Sequence, residues 1–313
     1  MTIIKKLYFL LLGVLLLLIL LPKAGYNQKQ IKNHKFFPIL KGPYLGQKPP
    51  GLTPSIFAPG IISTDESEMC IWFAPGGTEL YLTRRKNSRG IIFFMKEENG
   101  RWTSPQVTSF SGEYNDGDFS LSYDGKKLLF NSLRPGDKKN KTIGSWDIWM
   151  VERTASGWSE PINPGAPINS EKREFFPTFS TNGDLFFASD RDGDSDIYIS
   201  KFVNHDFNKP IKLSSSINSD YDEWDQVIAP DCGYMLFCSN RPDSYSSSDL
   251  YISYYRKDGQ WTKAQNMGAV INTSHDIYCP SISPDGKYIF FRSQKSGNGD
   301  IYWMDAKIIK KLR

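Results

Sequence analysis

Six carboxylates stand at matched positions in this chain. Glu68, Asp116, Glu174 and Glu223 each precede a similar apolar stretch, and Asp118 and Asp225 follow two residues after the second and fourth. A fifth copy breaks both series with Ile277 and Cys279. Carboxylates crowded around one opening raise each other's pKa or hold a cation. An acid recurring in a recurring loop also serves as a backbone cap, and repetition favours that reading. Together Glu68, Asp116, Asp118, Glu174, Glu223 and Asp225 form the candidate binding site, expected at a channel mouth. No cofactor is implied beyond calcium, the ion that several carboxylate oxygens would suit.

Three arginines, Arg134, Arg191 and Arg241, each precede an aspartate: Asp147, Asp196 and Asp249. A guanidinium bonds a carboxylate through two N–H groups, so each pair reads as a clip between neighbouring strands. Asp190, Asp192, Asp194 and Asp196 alternate, but Gly193 falls fourth rather than sixth and position twelve is Lys201. That is not the spacing of an EF-hand loop, and a solvated turn explains it. Other catalytic signals are absent. There is no Gly-x-Ser-x-Gly elbow, no glycine-rich phosphate loop and no C-x-x-C. His34, His205 and His275 are far apart, and the basic run Lys138 to Lys141 suits a hairpin tip.

These residues sit on a repeat. Pro280-Ser-Ile-Ser-Pro-Asp-Gly286 leads to Tyr288-Ile-Phe-Phe291 and then Asp300-Ile-Tyr302; worn or close copies surround Gly77, Gly125, Gly183 and Gly233. An alternating stretch before the turn has one buried face, and Asp-Gly or Asn-Gly accepts a tight hairpin. The apolar run after the turn is a second strand, and Asp-Ile-Tyr a third. A fourth begins near Gly-x-Trp or Gly-Trp and ends in Ile168-Asn-Ser170, Ile217-Asn-Ser219 or Ile271-Asn-Thr273. Four strands at a period near fifty describe a propeller blade.

The last copy lacks its fourth strand, while a spare one, residues 54–63, aligns without gaps to 161–170. The N-terminal strand is therefore expected to complete the blade containing residues 280–302 and remove the exposed sheet edges. The fold class is an all-β, five-bladed propeller over residues 51–308. A six-bladed alternative would need a blade from residues 25–50, which read as a linker. Cys70 and Cys279 lie seven residues before Gly77 and Gly286, so five-blade closure makes them neighbours near the axis, either bonded or as two buried thiols.

Lys5 and Lys6 precede an apolar run, Leu7 to Leu21. That length suits a signal peptide better than a spanning helix, so residues 1–24 are expected to direct export. Cleavage and retention as an anchor both stay open. The formal net charge is +4, and Lys5, Lys6 and Lys23 carry three of those charges. A nearly neutral body excludes nucleic acid as an expected partner. Residues 309–313 are a basic tail.

The Ser-x-Asp-Gly turn, the Leu/Phe run, Ser-x-Arg and Asp-Ile-Tyr resemble the WD-like repeats of TolB-type propellers, over about residues 51–308. The resemblance implies a monomeric module in the periplasm or outside the cell that binds a protein or glycan, touching membrane only through its N-terminal segment. TolB-type propellers usually have six blades, and five is a departure. The rival expectation is a glycan- or lactone-active enzyme using the channel-mouth acids, an analogy of fold only.

Overall fold

A computed structural model describes residues 37–136, 145–204, 206–273 and 275–313. The expected leader, His34, His205 and the run Lys138 to Lys141 lie outside the described residues.

Five antiparallel blades form a closed ring. Blade 1 runs Ser67–Phe73, Glu79–Lys86 and Arg89–Glu98, whose outer edge pairs with both Arg101–Trp102 and Gln106–Val107. Blade 2 contains Asp116–Leu121, Lys127–Ser132, Asp147–Thr154 and Gly157–Trp158. Blade 3 contains Glu174–Phe179, Leu185–Ser189, Asp196–Ser200 and Ile211–Lys212. Blade 4 contains Glu223–Ile228, Tyr234–Ser239, Asp249–Tyr254 and Gln265–Asn266. Blade 5 takes Ile277–Ile282, Tyr288–Ser293 and Asp300–Asp305 from late in the chain and Ser55–Ile56 from its N-terminal side. Each innermost strand touches the innermost strands of the two neighbouring blades, including the first and the fifth.

Closure occurs where the gapless alignment put it. Ser55 faces Trp303 and Ile56 faces Tyr302, while Phe57 N–H donates to Ile301 O at 2.8 Å and Asp305 N–H to Gly51 O at 2.9 Å. Phe57 is fully buried against Phe73, Phe290 and Trp303.

The repeated aromatics have one purpose. Phe187 faces Tyr198, Phe237 faces Tyr251 and Phe291 faces Tyr302 across strands two and three, their rings stacked about 6 Å apart. Arg191 and Arg241 then lie over the first two of these stacks.

The fourth strands differ from the sequence reading. Ile168-Asn-Ser170 and its copies are not strand ends but buried turns. Asn169 Oδ1 accepts the Ile148 N–H and its Nδ2 donates to Ile148 O; Asn218 does the same for Ile197 and Asn272 for Leu250. A side-chain amide thus supplies the pairing that a fourth strand would give. Ser63 performs this service for Ile301 in the closing segment.

Residues 39–50, expected as linker, belong to the propeller body. Leu45 is buried, Trp102 Nε1 donates to Gly42 O, and Tyr44 packs edge-on against Phe73 and Tyr288. The expected basic tail is a short helix, Ile308–Leu312, with Ile308 and Ile309 buried. Apolar side chains at both places outweigh the Lys, Gly and Pro that suggested exposed segments.

Candidate functional site

Each innermost strand carries one bulge, and the bulged residues are Cys70, Asp118, Phe176, Asp225 and Cys279. Each lies seven residues before the left-handed turn residue of its hairpin: Gly77, Gly125, Gly183, Cys232 and Gly286. In blade 4 Cys232 takes that conformation (φ 54°) rather than the neighbouring Gly233, because the hairpin register, Ile228 opposite Met235, puts Cys232 at the position that glycine holds in the other blades. A bulge kinks its strand and re-aims a side chain. Asp118, Phe176, Asp225 and Cys279 hold φ of 31°, 48°, 53° and 52°, and left-handed backbone at a non-glycine residue costs about 1 to 3 kcal/mol.

Three of the five converge at one point of the axis. Cys70 Sγ and Cys279 Sγ lie 3.3 and 3.6 Å from Asp118 Oδ1, and the three atoms all fall within 4.8 Å of one another. Both thiols are free, and the proximity expected from ring closure is present. Asp225 turns its carboxylate to the Cys279 backbone, Oδ2 accepting that N–H at 2.9 Å. Burial pushes the Asp225 carboxyl well above its usual range, and the Asp118 charge adds to this. Burial also raises Asp118, against hydrogen bonds from both thiols and Asn131. It pushes the Cys70 thiol up to about 12.

The other four candidate acids are elsewhere. Glu68, Asp116, Glu174 and Glu223 are fully buried, each closing an ion pair with an arginine of the second strand or just beyond it: Arg84, Arg134, Arg191 and Arg241, at 2.8 to 3.1 Å. Each of these arginines also donates to a backbone carbonyl of the turn leading into its blade, at Ile61, Phe110, Ile168 and Ile217. The three glutamates accept the N–H and hydroxyl of the residue four before: Thr64, Ser170 and Ser219. These four acids therefore stitch blade to blade. Burial lifts Glu68 to about 7, against the Thr64 bonds and the Arg84 charge.

The arginine clips exist with different partners from those expected. Asp147 accepts from Asn163, Asp196 pairs with Lys212, and Asp249 accepts from Asn266. The hairpin register sets Glu174 opposite Ser189 and Glu223 opposite Ser239, which brings the acid of strand one, not strand three, under the guanidinium. The alternating aspartates scatter likewise, Asp190 to Arg173, Asp192 to Tyr198 and Asp196 to Lys212.

One residue before each bulge, the five strands carry Met69, Gly117, Phe175, Trp224 and Tyr278. Four are large and half-buried. At Gly117 the wall is missing, and a cavity of about 410 Å³ lies there, lined by Gly117, Asp118, Asn131, Phe175 and Tyr278, with Trp146, Arg85 and Arg173 also on its wall. Gly117 stands between two acids and carries no signal by itself; aligned across the five copies, it is the one small residue at its position.

No protein-family model matches the chain, and no curated protein matches it. Solved structures do. TolB from Acinetobacter baumannii is 16% identical, with a TM-score of 0.54 over 79% of this chain and 53% of its own. A protein assigned as TolB from Agrobacterium tumefaciens is 18% identical, with a TM-score of 0.52 over 77% of this chain and 78% of its own. The chain thus spans about half the length of the first. No helix among the described residues is long and apolar enough to cross a membrane. At this level of identity the likeness speaks to architecture alone: the chain folds as a five-bladed β-propeller, similar in architecture to these TolB structures.

Proposed function

We propose that this chain is an exported binding propeller that holds a segment of a protein partner in the cavity beside Gly117. The cavity itself carries the reading. One blade has glycine where the other four carry a large side chain, and the cavity there is walled by Phe175, Tyr278 and Trp146 with Arg85 and Arg173 at hand. Arg85 is exposed and makes no ion pair among the described residues. Aromatic faces and an unpaired guanidinium suit a peptide segment that brings an apolar side chain and a carboxylate. Asp118 and Asp116 are the cavity's carboxylates, and Asp116 is engaged by Arg134. A glycosidase pair needs two free carboxyls facing one cleft, so binding is the better-supported use.

The test compares the tagged chain with Gly117→Trp. A Cβ at Gly117 meets nothing within 4 Å, and its φ is not left-handed, so the substitution fills the opening without backbone strain. Partners cross-linked in the cell envelope are identified by mass spectrometry. A protein retained by the parent and lost with Gly117→Trp and Arg85→Glu supports the reading. Equal retention by all three overturns it.

A further inference from the structure

The axial ring carries a donor set that partner binding does not use. We propose that Cys70, Cys279 and Asp118 form a zinc site at the propeller axis, a site that goes beyond the binding reading and stands without it.

Donor type is the first argument. Calcium and magnesium take oxygen ligands, whereas two sulfurs and one carboxylate oxygen suit a borderline-soft ion, zinc above others. Among the described residues this is the one group of three such donors close enough to share an ion. Asp225, which with Asp118 could have made an all-oxygen pair, turns one oxygen to the Cys279 N–H.

Spacing is the second. Zinc bonded to sulfur at about 2.3 Å and to oxygen at about 2.0 to 2.2 Å in a tetrahedron sets an S···O edge of about 3.5 Å. The two S···O separations are 3.3 and 3.6 Å. Three residues from three blades meet this edge length because bulges aim them inward, two of them with left-handed backbone.

The surroundings are the third. Metal ligands are held by neighbours that orient them, and here Asp225 fixes the backbone of Cys279. Asn131, 3% exposed, leaves its Oδ1 without a partner while lining the same cavity as Asp118. Three protein donors leave a fourth position, as in zinc sites that keep one for solvent, and the cavity gives solvent its route to Asp118. Each ligating thiol releases its proton to water.

The reduced full chain, stripped with a chelator, is titrated with cobalt(II) and then zinc. One cobalt per chain, with the near-ultraviolet absorption of thiolate-bound cobalt, displaced by zinc, supports the site. Zinc should raise the melting temperature in step with its concentration, and calcium should not. Cys70→Ser and Cys279→Ser each abolish the absorption, Asp118→Asn weakens zinc binding at least tenfold, and Cys232→Ser, half-buried at the blade-4 turn, leaves both unchanged. Absence of the thiolate absorption in the parent chain overturns the proposal, as does its persistence in both serine variants. A Cys70–Cys279 disulfide in protein isolated directly from cells also overturns it. None of these readouts involves a partner, so failure here leaves the cavity reading standing and failure there leaves this one.

Discussion

Cys70 and Cys279 belong to the first and last innermost strands of the chain, yet their sulfurs stand within 4.8 Å of each other. Only a ring that has closed after five blades brings them there. The lock is the short strand Ser55–Ile56 with Phe57 behind it.

Phe57→Ala should therefore cost about 3 to 5 kcal/mol, the range for emptying a buried aromatic site. Urea unfolding monitored by tryptophan fluorescence reads the loss. A change under 1 kcal/mol would mean that the closing strand adds nothing to the ring.

The blade-to-blade clasps should behave as buried ion pairs. Glu223→Ile alone leaves the Arg241 guanidinium without its carboxylate and should cost about 3 to 5 kcal/mol. Blade 5 shows the alternative, with Ile277 in the acid's place and Lys295 exposed where blades 2 to 4 carry their arginine. The double variant Glu223→Ile with Arg241→Lys should recover much of the loss, because lysine can reach solvent. Additive losses in the double variant would show that the two residues do not act on each other.

Tyr44 gives the fold a pH signature. Its hydroxyl donates to Asp285 Oδ1 at 2.8 Å. Burial opposes the charge on Asp285, but bonds from Ser283, Tyr44 and Lys287 outweigh it and lower the carboxyl to about 2. A depressed acid stabilises the folded state above its unfolded pKa and loses that contribution as pH falls through the folded value. Tyr44→Phe keeps the aromatic packing and should cost about 1 kcal/mol at neutral pH. The gap between the two proteins should close as pH approaches 2. A gap independent of pH would place the effect in packing.

Export is tested at the junction before the propeller body. A reporter active only outside the cytoplasm, fused after residue 38, should be active, and replacing Leu12 and Leu15 with arginine should silence it. Activity that survives those charges would remove the leader from the account.

The sequence made the ring legible because each of its signals is local: the left-handed turn, the apolar run and Asp-Ile-Tyr all lie within one blade. Closure and the meeting of Cys70 with Cys279 followed from counting residues back from those turns. The partners of Arg134, Arg191 and Arg241 did not follow, since an arginine near two acids has no preference until the hairpin register is known. The bulges were equally hidden, as one extra residue in a strand leaves no mark on the pattern of residue types. They decide the site, sending Asp118 to the axis while Asp116, two residues earlier, goes between blades. The turns at Asn169, Asn218 and Asn272 resemble strand ends in sequence because an isoleucine precedes each asparagine.

The closing strand also sets a clock. Residues 55 and 56 are made early, but Tyr302 and Trp303, which they face, arrive after nearly all the rest. Until then the segment has no edge to join, and the blade-5 strands have no outer cover. Blades 1 to 4 can assemble in order of synthesis, each from contacts close in sequence, whereas the final seal joins positions far apart along the chain, the kind of contact that forms slowly. A nascent chain halted before residue 300 is therefore an open arc with two unsatisfied sheet edges, the state most exposed to proteases and to pairing with another copy of itself.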